Sequence, residues 1–125
     1  MRFTILIFLV ISLVVSAGPN DSPSIYWAAL ANDVNMAKYY IDHGESINIV
    51  DKHGLSPLMY AADKGNYEVT KLLLESGADP FLKSKSGAFA IDLSKTVKER
   101  ELLRSYMQIR SNKQFHRTLK SAPVN

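Results

Sequence analysis

DKHGLSPLMYAADKGNYEVTKLLLESGADP, residues Asp51–Pro80, decides the fold. Asp51, His53 and Gly54 form a turn signal, with Gly54 free to take positive φ. Ser56 stands at an N-cap position, and Pro57 occupies the first helical position, where its missing N–H needs no partner. Leu58, Ala61 and Ala62 form an apolar stripe at i, i+3 and i+4, and the alanines permit close approach by a neighbouring helix. Gly65 and Asn66 end that first helix. A second is expected from about Tyr67 to Ser76, with Val69, Leu72 and Leu73 on its inner face and Leu74 broadening it; Gly77 supplies a left-handed C-cap.

The same punctuation recurs 33 residues away on both sides. Upstream, Ala61 and Ala62 become Ala28 and Ala29, Leu58 becomes Ile25, Val69 becomes Met36, and Gly77 becomes Gly44. Downstream, Gly54 becomes Gly87, Leu58 becomes Ile91, Val69 becomes Leu102, and Leu73-Leu74 becomes Tyr106-Met107. A period of this length marks one supersecondary unit that cannot bury its own apolar face, so neighbouring copies must stack.

These residues resemble the ankyrin repeat. The matching positions are Asp51, Gly54, Pro57, Leu58, Ala61, Ala62, Gly65, Val69, Leu72, Leu73, Leu74, Gly77, Ala78 and Asp79. Gly44-Glu45-Ser46-Ile47-Asn48 resembles the exit of such a repeat, and Gly87-Ala88-Phe89-Ala90-Ile91-Asp92-Leu93 resembles the opening of a last one. The resemblance implies an all-α solenoid of about three helix-turn-helix repeats; an N-terminal signal helix is expected ahead of it on the separate ground of the leader's composition. Departures fall at Ser56 and Met59, where the family has Thr and His, and at Lys98, where the third copy lacks the glycine between its helices. Both outer copies are atypical and are expected to act as polar caps.

Met1–Ala17, MRFTILIFLVISLVVSA, has a positive start, a short apolar centre and small residues at its end, the parts of an export signal. Its apolar run is shorter than the roughly 20 residues that cross a bilayer as a helix. The expected organisation is therefore residues 1–17 as a signal peptide, 18–108 as the repeat domain (copies at about 18–50, 51–83 and 84–108), and 109–125 as a basic tail. Export places the protein in a periplasm or outside the cell. With no cysteine, stability must come from stacking rather than disulfides.

Charge divides unevenly. Residues 18–94 carry ten acidic and six basic side chains, a net −4, and residues 95–125 carry two acidic and eight basic, a net +6. The tail is expected to be solvated, with Phe115 and Leu119 laid on the third copy and the extreme end disordered. Phosphate contacts by Arg110–Lys120 are conceivable chemically, but an exported chain rarely meets nucleic acid, so none is expected as a partner.

No catalytic pattern appears. The three histidines, His43, His53 and His116, read as helix-end and surface residues, with neither a metal nor another cofactor expected. The expected role is non-enzymatic binding of another protein by a monomer, with inhibition or assistance of an exported enzyme as a sharper version. The alternative is a membrane-surface adaptor with an uncleaved N-terminal helix and its basic tail on anionic lipid.

The family resemblance also implies where a partner sits: on the turn tips and the exposed positions of each first helix. In the central copy these are Lys52, His53, Leu55, Asp63 and Lys64; in the third Lys85, Ser86, Ala88, Thr96 and Val97; in the first Leu30 and Ala31. Leu30, Leu55 and Val97 are then apolar residues on a charged surface, a pattern that suits a protein partner. Trp27 and Tyr60, 33 residues apart, are expected to stack between adjacent first helices.

Overall fold

The computed structural model describes residues 24–123, so the export-signal reading of residues 1–17 lies outside the described residues. Within them every regular element is a helix: α1 (Ile25–Ala31), α2 (Val34–Asp42), α3 (Pro57–Lys64), α4 (Tyr67–Glu75), α5 (Ala90–Leu93) and α6 (Val97–Ser121). The first helices α1, α3 and α5 stack in one layer and the second helices α2, α4 and α6 in the other, each pair forming one copy of the repeat.

The central copy follows from its residues. Ser56 accepts a hydrogen bond from the Met59 N–H, Pro57 starts α3, and Gly65 closes it at φ 71°. Ile25, Ala28, Ala29, Leu58, Met59, Ala61, Ala62, Val69, Leu73, Leu74 and Leu103 make one continuous core through all three copies. Met59 is fully buried where the family has a polar histidine. In α4 the buried residues are Val69, Thr70, Leu73 and Leu74, while Leu72 is only half-buried. That corrects the expected inner face: α4 is turned so that Leu73 and Leu74, not Leu72, point deepest.

The first copy turns between its helices without glycine. Asn32 takes the left-handed conformation at φ 52°, which a short polar side chain tolerates. Asp33 then caps α2 by accepting from the Met36 N–H at 2.9 Å. This turn is tied to the next copy. The Asn66 side-chain amide donates to the Ala29 carbonyl at 2.6 Å, and the Val69 N–H donates to Asn32 Oδ1 at 3.4 Å.

The third copy departs most. Its first helix α5 has only four residues and stops at Leu93, with Ser94 extended at φ −59°, ψ 126°. Thr96 accepts from the Glu99 N–H as the N-cap of α6. Lys98 therefore lies inside α6, not in the inter-helix turn, and its ammonium sits 3.9 Å from the centre of the Tyr67 ring.

The helix α6 runs for 25 residues, through the expected domain limit at 108/109 and on to Ser121. The reason lies one repeat back. Gly44 and Gly77 both take positive φ where the first two copies leave their second helices, and the equivalent third position holds Arg110. No left-handed residue stops α6 there. Phe115 and Leu119 are exposed, so the expectation that they pack on the third copy is corrected.

Candidate functional site: the turn tips and first-helix ends

The two complete turn tips are built alike. In the central tip the Asp51 N–H donates to the Leu55 carbonyl at 3.0 Å, and Asp51 Oδ1 accepts from the N–H groups of His53 and Leu55 at 2.8 and 2.9 Å. In the third copy Ser84 repeats the pattern from the equivalent position. Its N–H donates to the Ala88 carbonyl at 2.9 Å, and its hydroxyl accepts from the Ala88 N–H at 3.1 Å.

The tips are joined by one backbone hydrogen bond, from the Lys85 N–H to the His53 carbonyl at 3.0 Å. Gly54 makes this approach possible: it sits at φ 74°, and a Cβ there would lie 3.0 Å from the Lys85 nitrogen. The exposed side chains of Lys52, His53, Lys85 and Ser86 thus share one rigid edge.

A second group gathers at the far ends of the first helices, about 12 Å away for a helix of eight residues. Here Asp63 pairs with Lys95 at 3.2 Å, and Asn66 holds the Leu30 carbonyl at 3.2 Å. Leu30 and Asp63 are half-buried, and Ala31 and Lys64 exposed.

Four expected positions need correction. Leu55 is half-buried and packs against the core, so it is not a free surface leucine. Ala88 is likewise half-buried, because its backbone is locked to Ser84. Thr96 and Val97 do not lie on a first helix: α5 ends three residues before Thr96, which caps α6, and Val97 opens it. Both remain exposed beside the α3 end, where the Thr96 methyl would meet a Cβ on Gly65 at 3.6 Å.

The aromatic pairing also differs. Tyr26, not Trp27, meets Tyr60, edge to face with centroids 5.4 Å apart. The Tyr26 hydroxyl donates to the carbonyls of Ile49 and Leu55, both at 3.1 Å, and the Tyr60 hydroxyl donates to Asp51 Oδ2. Trp27 is half-buried and, unlike Tyr60, is not among the side chains packed on the core. It shares a face of α1 with Leu30 and Ala31, at i, i+3 and i+4. The 33-residue register had marked Trp27; only the packing shows that its ring is left partly open.

The polar network is electrostatically settled. Burial and the hydrogen bond to Asp51 push Tyr60 up to about 12. Burial works to raise Asp51, but the hydrogen bonds from Tyr60, Leu55 and His53 outweigh it and hold the carboxyl below its ordinary value. An ionised Asp51 and a protonated Tyr60 therefore brace the tip.

One buried acid was missed. Glu99 is fully buried in α6; its Oε1 accepts from the Thr70 hydroxyl at 2.7 Å and its Oε2 has no partner. Burial pushes its carboxyl up, against weaker opposing effects of Thr70, Lys95 and Ser94. Among the described residues no three His, Asp or Glu side chains gather in a way that would hold a metal ion.

Comparison with known proteins points to one family. The family model described as ankyrin repeats, in three copies, matches residues 5–84. The human DNA-binding protein RFXANK is 34% identical over 77 residues, which is 61% of this chain and 30% of that protein. An ankyrin repeat and LEM domain-containing protein 1 homolog of Caenorhabditis elegans is 36% identical over 79 residues, 62% of this chain and 11% of the relative. A palmitoyltransferase of Saccharomyces cerevisiae, AKR1, is 37% identical over 75 residues, 58% of this chain and 10% of the relative. The chain spans less than a third of the length of these relatives. Two stacked helical layers, repeated tips joined by a backbone hydrogen bond and the match to the family model together make this chain a member of the ankyrin-repeat family.

Proposed function

We propose that the chain is an exported, non-enzymatic module that binds another protein through the joined tips and the first-helix face. Ankyrin repeats act by binding other proteins. The observation that carries the present assignment is the hydrogen bond between Lys85 and His53. It fixes two exposed basic edges relative to each other before any partner arrives, which lowers the ordering cost of binding.

Leu30 and Ala31 lie at the other end of the same face, and Trp27, one turn before them on α1, extends their apolar patch toward the tips. Aromatic anchors surrounded by charge are the usual composition of a binding hot spot. The export reading rests on the leader Met1–Ala17, and inhibition or assistance of an exported enzyme would suit a rigid binder of this size.

A photo-crosslinking side chain placed at Lys52 or Lys85 should capture a partner in the native compartment, and one placed at Glu75, on the exposed side of α4, should not. Capture only at Glu75 would move the site to the opposite layer. Substituting Trp27→Ala should weaken the captured complex about tenfold or more while shifting the melting temperature little. Intact mass of the exported protein decides the leader: loss of residues 1–17 excludes a membrane-adaptor role anchored by that segment.

A further inference from the structure

The helix α6 is nearly three times as long as α4, the helix it packs against: 25 residues against nine. Its first part buries Glu99 and Leu103, and from Ser111 onward every described residue is exposed. The exposed part is chemically one-sided. Arg110, Lys113, Arg117 and Lys120 follow one another at spacings of three, four and three, which places them in one row about 15 Å long.

No acidic residue occurs between Glu101 and Ser121. Arg110 fixes the start of the row, donating to the Gly77 carbonyl at 3.1 Å and pairing with Asp79 at 3.5 Å. Among the described residues, Lys113, Arg117 and Lys120 form no ion pair.

The row borders a groove. Asp79, Phe81, Arg110, Ser111 and Gln114 line an open groove of about 410 Å³, and Lys113 and Arg117 continue the row from it along the exposed face of α6. Phe81, 43% exposed, is the apolar residue in that lining.

We propose that this groove docks an acidic segment of a partner protein, with the segment's carboxylates on Lys113 and Arg117 and one of its apolar side chains against Phe81. The inference adds a second contact surface to the protein-binding reading, whose tips it does not use. Two observations favour an acidic peptide over other polyanions. The Phe81 ring lies in the same groove as Arg110, an apolar seat for which a phosphate backbone has no use. Phe115 and Leu119 leave α6 about 200° round the axis from Lys113 and Arg117, so one membrane plane cannot take both the cations and these apolar residues.

The test uses the full chain and fluorescence anisotropy with four probes: a short glutamate-rich peptide carrying one phenylalanine, the same peptide with glutamine for glutamate, a DNA duplex, and vesicles containing anionic phosphatidylglycerol. The glutamate peptide should bind at low salt and lose about tenfold or more in affinity at a few hundred millimolar salt. Lys113→Glu with Arg117→Glu should reduce its binding about tenfold or more, Phe81→Ala several-fold, and Lys38→Glu, exposed on α2 and outside both surfaces, not at all. Thermal melting of each variant checks that the fold is kept, as expected for exposed positions. The proposal is overturned if the glutamate peptide does not bind, if the glutamine peptide binds as well, if charge reversal leaves binding unchanged, or if the duplex or the vesicles bind as tightly with the same sensitivity. Failure of these peptides while crosslinking at Lys52 still captures a partner would remove the groove and leave the tips.

Discussion

Thr70 on α4 holds Glu99 on α6 through one 2.7 Å hydrogen bond, and the other carboxylate oxygen of that glutamate is buried without a partner. An unmet buried acceptor costs about 1–3 kcal/mol. Because burial raises the Glu99 carboxyl, the folded chain holds its proton more tightly than the unfolded chain does. Stability from this group is present below the ordinary glutamate value of 4.5 and is lost as the pH rises through the higher folded value. Glu99→Gln mimics the protonated form. At pH 7 it should raise the melting temperature by about 4–8 °C, the effect of about 1 kcal/mol in a domain of this size, and it should abolish the decline above pH 4.5. A variant less stable than the parent at neutral pH would mean that the ionised carboxylate is what α4 and α6 require.

Asp51 has the opposite sign. Its carboxyl is held below the ordinary 3.8, so its contribution is full above that value and disappears as the pH falls through the lower folded one. Asp51→Ala should cost about 1–3 kcal/mol at pH 7 and flatten the acid limb of the stability profile. Chemical denaturation across pH, with the Glu99 and Asp51 variants side by side, separates the two windows.

Gly54→Ala combines two penalties. The residue sits at φ 74°, and the added Cβ would press on the Lys85 nitrogen at 3.0 Å. The left-handed conformation alone costs about 1–2 kcal/mol for a residue other than glycine. Hydrogen exchange of the Lys85 N–H should accelerate in this variant more than exchange in α4.

The core predicts a contrast between adjacent leucines. Leu73 is fully buried, and Leu73→Ala should cost about 2–5 kcal/mol. Leu72 is half-buried, and Leu72→Ala should cost clearly less in the same urea titration. Leu55→Glu is no neutral surface change either. Leu55 packs on the core, so charge there should lower stability as well as binding.

The register of the solenoid was legible because it is written in small residues and glycines. Ala28, Ala29, Ala61 and Ala62 must stay small for first helices to approach, and Gly54 and Gly87 must reach positive φ. The rotation of α4 was less legible. Leu72, Leu73 and Leu74 are chemically equivalent, and only the packing of α2 and α6 against them selects which pair is buried. The displaced third turn left Thr96 and Val97 at the right repeat offset on the wrong helix, since α5 ended early without a glycine to mark it. Glu99 was hidden for a different reason. Thr96 and Glu99 have the spacing of a helix cap, and such a glutamate ordinarily faces solvent. Its inward turn depends on Thr70, 29 residues away.

Arg110 has a consequence for how many repeats this scaffold can hold. At Gly44 and Gly77 the backbone reverses and releases the chain to begin another unit; at Arg110 it stays helical, and the guanidinium grips the turn of the preceding unit at Gly77 and Asp79. A glycine put back there would free the chain to reverse, at the loss of the contacts that Arg110 makes to Gly77 and Asp79.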